Sequence, residues 1–127
     1  MNSVYLKYCI SFLILITSFS TKAQSVDSLI SIANKEITKQ KKVAKLNELS
    51  IDYKSKNYTV SRELAYQAEK IANAIQYKDG EAIALRNQGV VLTNESKLDE
   101  ALKYITISLN LSREINDTEG EMYAYLG

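Results

Sequence analysis

From Val26 onward, apolar and small side chains recur at three- and four-residue intervals, the spacing that keeps them on one stripe of a helix. Leu64, Ala65, Ala68, Ile71, Ala72 and Ile75 form one stripe, and Tyr104, Ile105, Ser108, Leu111, Ser112 and Ile115 form another. They predict amphipathic helices over about 60–77 and about 98–115. Each is preceded by a second predicted helix: Leu46, Leu49, Ser50 and Tyr53 mark one over about 42–55, and Leu85, Gly89 and Leu92 one over about 81–95. Ahead of these, Val26, Leu29, Ile30, Ala33 and Ile37 give a stripe over about 25–40, a helix expected to cap the amino end.

The pattern is an internal repeat. A shift of 40 residues pairs Leu64 with Tyr104, Ala68 with Ser108, Ile75 with Ile115, Gly80 with Gly120 and Glu81 with Glu121. Gly80 and Gly120 are expected to punctuate successive helix hairpins, and Gly89 to let helices approach closely. Within each hairpin the break is expected at Ser55-Lys56-Asn57 and at Asn94-Glu95-Ser96, polar residues that compete for backbone hydrogen bonds. Ser96 with Asp99, and Thr118 with Glu121, have the spacing of a capping box. Glu121 to Gly127 is expected to begin a third unit, with Tyr123 at the place of Leu85 and Gly127 at that of Gly89.

Small residues at Gly89, Ala101 and Ser108 have a physical reason, since helix axes in such hairpins approach within roughly 8 to 10 Å. With Leu85, Gly89, Leu92, Leu98, Ala101, Ile105 and Ser108 in these places, residues 81–120 resemble a tetratricopeptide repeat of lengthened form. The first unit is looser, with Ser50 for the glycine, Ser61 for the alanine, and Tyr53 and Tyr58 at two aromatic sites. The resemblance implies an all-α fold, an α-solenoid of antiparallel helix hairpins. A plain helical bundle is the competing architecture. The expected organisation is a signal peptide over 1–23, a capping helix over 24–41, repeats over 42–80 and 81–119, and the start of a third over 120–127. About three units are usually needed for such a stack, so a chain truncated at its C-terminal end is expected, with self-association through that end as the alternative.

The first residues form a separate object. Lys7 and the amino terminus precede a mostly apolar run from Tyr8 to Phe19, and Thr21-Lys22-Ala23 sets small residues before Gln24. This is the layout of a secretory signal peptide cleaved between Ala23 and Gln24, which implies an exported, periplasmic or cell-surface protein. A retained anchor is the alternative, although the run is shorter than the roughly 20 residues of a membrane span. Removing residues 1–23 leaves 14 basic against 15 acidic side chains, so no strong field remains to steer nucleic acid or an anionic membrane. It also removes Cys9, the one cysteine, and stability must then come from packing.

Candidate chemistry is sparse. The chain has no histidine, which with the missing cysteines removes nearly all zinc, haem and thiol chemistry, and its four glycines form no nucleotide-binding fingerprint. No cofactor, metal site or catalytic residue is expected, and the chain is read as no enzyme. Asp99 and Glu100 are adjacent and fit a helix start better than catalysis. Lys39, Lys41 and Lys42 form the strongest basic cluster, read as a solvated turn without aromatic residues to stack on bases. Tyr53, Tyr58, Tyr104 and Tyr123 fall on expected packing positions, while Tyr66, Tyr77 and Tyr125 do not.

By position, the resemblance implies a groove of first helices that binds an extended peptide or a partner helix. Its lining would be Asn47, Ile51 and Lys54 from the first unit and Ile83, Arg86, Val90, Thr93 and Asn94 from the second. Arg86 and Lys54 would attract carboxylates, but Ile51 and Val90 stand where a carboxylate clamp of this family has asparagine. The expected function is a protein-interaction scaffold. The sensory portion of a larger signalling protein, of the sensor-kinase or transcriptional-regulator type, is the second expectation.

Overall fold

The computed structural model describes Ser3, residues 24–116 and residues 118–126; in the last helix the side chains of residues 118, 121, 123 and 125 are not described. The expected signal segment, apart from Ser3, lies outside these residues. Among the described residues every regular element is a helix: α1 (Val26–Ala33), α2 (Lys39–Tyr53), α3 (Tyr58–Ala74), α4 (Lys78–Asn94), α5 (Leu98–Glu114) and α6 (Thr118–Leu126). None is long and apolar enough to cross a membrane.

From α3 onward the helices start every 20 residues, at Tyr58, Lys78, Leu98 and Thr118. The links repeat at the same interval. Gln76, Ser96 and Asn116 take left-handed φ values of 56°, 61° and 55°. After α3, the Tyr77 amide donates to the Ala72 carbonyl and the Gln76 amide to that of Asn73; after α4, Lys97 donates to Leu92 and Ser96 to Thr93. These paired bonds satisfy the last carbonyls and turn the chain, in the manner of a Schellman ending. The expected punctuation by Gly80 is therefore corrected, because Gly80 is the third residue of α4 and no described glycine has a positive φ. Its smallness serves a close contact: a methyl group there would lie 2.5 Å from the Tyr77 ring and 2.7 Å from Val43 Cγ1.

Other boundaries shift for the same reason. Ser96 ends one helix instead of capping the next, and Lys97 precedes α5 with no side-chain cap. The other expected capping box involves side chains outside the description. Asn57 does cap, its Oδ1 accepting the Val60 amide at 3.1 Å. The lysine cluster is no turn: Thr38 Oγ1 accepts the Lys41 amide at 3.2 Å, so α2 begins at Lys39. Helix α1 ends at Ala33, leaving Ile37 outside any helix and 90% exposed. Tyr58, expected to pack, is 39% exposed. In the last unit the offset of 40 persists, with buried Ala124 at the place of buried Ala84. By that offset Tyr125 corresponds to Leu85, two residues away from the expected alignment, while the place expected for Gly127 lies outside the described residues.

Each helix packs on its neighbour in sequence. In addition α1 touches α3, α2 touches α4 and α4 touches α6, whereas α3 and α5 do not touch. Helix α4 is thus surrounded by α2, α3, α5 and α6, which is why it buries Ala82, Ala84, Leu85, Val91 and Leu92 around most of its circumference. The first core gathers Leu29 and Ala33 of α1, Val43 and Leu46 of α2, Val60, Leu64, Ala68 and Ala72 of α3, and Ala84 of α4. Each fully buried leucine there contributes about 1.5 to 3 kcal/mol. Ser50 and Ser61 join α2 and α3, where Ser50 Oγ donates to the Ser61 carbonyl at 2.9 Å and Ser61 Oγ to that of Ser50 at 2.7 Å. Between α4 and α5 the matching contact is formed by Gly89 against Ala101 and Ile105.

Candidate functional site

Ala44, Asn47, Glu48 and Ile51 recur at three- and four-residue intervals and form one face of α2. Across from them α4 presents Gly80, Ile83 and Arg86, and a cleft of about 330 Å³ opens between, completed by Asp52 and Tyr77. Four of the eight predicted groove residues, Asn47, Ile51, Ile83 and Arg86, therefore converge although they come from two helices. Ala44, Ile51 and Ile83 supply apolar surface, and the charged groups stand around it.

Helices α2 and α4 are tied by asparagines. Asn47 Nδ2 donates to the Gly80 carbonyl at 3.1 Å, and Asn87 Nδ2 reaches the Asn47 carbonyl at 3.3 Å. Asn47 is 5% exposed, and its amide joins the two helices across the cleft. Further along the same helices, Asn94 Nδ2 donates to the Lys54 carbonyl at 3.3 Å. Thr93 Oγ1 turns back to the Gly89 carbonyl at 3.0 Å. Lys54, Val90, Thr93 and Asn94 do not line this cleft; the first and last join its two helices near their C-terminal ends.

The cleft carries both signs of charge. Glu48 pairs with Lys45 at 2.9 Å, and that hydrogen bond, followed by the Glu48 charge, raises the Lys45 pKa. Asp52 is exposed on the same face of α2, and Arg86 stands on α4. Attraction of carboxylates alone, expected from Arg86 and Lys54, is offset by two acidic side chains that sequence reasoning did not place. Glu48 directly follows Asn47 and Asp52 directly follows Ile51, four residues apart on the same side of α2, so that signal was present. Tyr77 was also missed: its ring covers Gly80, and its hydroxyl donates to Asp79 at 3.2 Å. Burial, then the Asp79 charge and this bond, raises the Tyr77 pKa above 10.

Among the described residues, no three aspartate, glutamate, histidine or cysteine side chains gather as a metal site. No family model, curated protein or solved structure matches the chain.

Proposed function

We propose that this protein is a non-enzymatic interaction module, a tetratricopeptide-type solenoid that holds a peptide or a partner helix along its first helices, α2 and α4. The observation carrying this reading is the convergence of Asn47, Ile51, Ile83 and Arg86 on one cleft. The contacts of α4 with α2 and α6, beside the lack of contact between α3 and α5, support it, since a curved stack with the first helices inside would pack in this way. An apolar floor flanked by both charges suits an amphipathic segment with acidic and basic residues around apolar anchors. In this reading the chain acts outside the cytoplasm; cleavage before Gln24 would leave Ser25 to cap α1, where its Oγ accepts the Ser28 amide at 3.3 Å.

Peptides selected from a random library on the full chain test this. Selected binders should lose affinity by about tenfold or more on Ile83→Asp or Arg86→Glu, with unchanged helical content. Equal binding to both variants would remove the cleft from the reading. Self-association belongs to the same proposal, supported by Leu98 and Leu102, each 65% exposed on α5. Sedimentation showing only monomer across the concentration range would remove that part.

A further inference from the structure

A second groove, of about 340 Å³, lies between α2 and α3. Its α2 residues, Lys39 and Lys42, fall on the opposite side of that helix from Ala44, Glu48 and Ile51. Lys70 joins them from α3, and Ile71, Ala74 and Ile75 form an apolar floor. No acidic side chain lines it. Lys45, Lys78 and Lys97 all have carboxylate partners, whereas Lys39, Lys42 and Lys70 have none among the described residues. The first turn of α2 has no acidic residue, so the lysine charges add to the positive end of the helix.

We propose that this groove is a second docking site, for an acidic peptide segment that inserts one aliphatic or aromatic side chain between its carboxylates. Charge complementarity selects the acidic partner. The recessed floor selects a peptide, because one side chain can enter between two helices and the flat headgroup plane of a bilayer cannot. Nothing aromatic lines the groove to stack on bases. The site is independent of the α2–α4 cleft and opposite to it in character, having one sign of charge where the cleft has two.

The test uses the full chain and a labelled peptide with a central leucine flanked by aspartates and glutamates, read by fluorescence anisotropy. Binding should weaken about tenfold or more on Lys70→Glu and on Lys42→Glu, and fall as salt rises from about 50 to about 300 mM. Ile83→Asp, in the other cleft, should leave it unchanged. Replacing the central leucine by alanine should weaken it several-fold. Circular dichroism melts of the lysine variants establish that they fold. Absence of binding, equal binding to folded lysine variants, indifference to the leucine, or loss on Ile83→Asp would each overturn the proposal. So would preferential capture of vesicles containing phosphatidylglycerol over the peptide.

Discussion

Asn87 donates its side-chain amide to the backbone carbonyl of Asn47, the residue that holds the same place one unit earlier, at 3.3 Å. The two are unequal in their other bonds. Asn47 Nδ2 reaches the Gly80 carbonyl at 3.1 Å, while Asn87 Oδ1 is buried without a partner among the described residues. Loss of a well-made buried hydrogen bond costs about 1 to 3 kcal/mol, whereas removing an unpaired buried acceptor recovers part of what its deletion loses. Asn47→Ala is therefore expected to destabilise more than Asn87→Ala, and urea midpoints of the two variants check the order.

Gly89 is expected to resist even a methyl group. A Cβ there would lie 2.5 Å from Ile105 Cγ1 and 3.3 Å from the Ala101 carbonyl, so the Ile105 side chain or α5 must shift. Alanine gains up to about 1 kcal/mol in helix propensity, but overpacking costs about 1 to 3. Gly89→Ala should lower the thermal midpoint, and Ile105→Ala in the same chain should restore part of the loss. Additive effects of the two substitutions would contradict the contact.

This contact was legible in the sequence because it is a matter of volume: small residues at Gly89 and Ala101 stand among bulky ones at helical spacing. The buried stripes of α2 to α5 were legible for the same reason. Chain reversal was not, because glycine is the usual signal for a left-handed ending and here Gln76, Ser96 and Asn116 take that conformation. Gly80 then looked like a break, although the Tyr77 ring and Val43 explain its size. Half of the predicted groove converged on one cleft, because the 40-residue offset fixes which faces of α2 and α4 meet. Its acidic wall escaped notice, since Glu48 and Asp52, the immediate neighbours of Asn47 and Ile51, look like an ordinary solvated edge of the helix.

Ser96 is expected to be a site of easy stabilisation. Its φ of 61° is unfavourable for a residue with a Cβ by about 1 to 2 kcal/mol, partly offset in glycine by greater unfolded-state entropy. Ser96→Gly and Gln76→Gly should each stabilise by about 0.5 to 1 kcal/mol. Asn116→Gly should gain less, because asparagine tolerates this conformation. Calorimetric midpoints of the three variants check the ranking, and a fall at Ser96 would contradict the ending.

Tyr77 gives the expected pH dependence. Burial, followed by the Asp79 charge and the hydrogen bond to it, raises the phenol above its usual 10 in the folded state, so the neutral form is favoured there. The stability it contributes is fully present below the unfolded value of about 10 and is lost as pH rises through the higher folded value. At neutral pH, Tyr77→Phe should cost about 0.5 to 1.5 kcal/mol through the lost bond to Asp79. Above about pH 10 the parent must also ionise the phenol against burial, and the variant need not. The difference in thermal midpoint between parent and variant should therefore shrink as pH rises from about 9 to about 11. Lysines and the other tyrosines titrate in both proteins and largely cancel in the comparison. A difference that stays constant, or widens, would show that the Tyr77 hydroxyl is not held against Asp79 at the edge of the cleft.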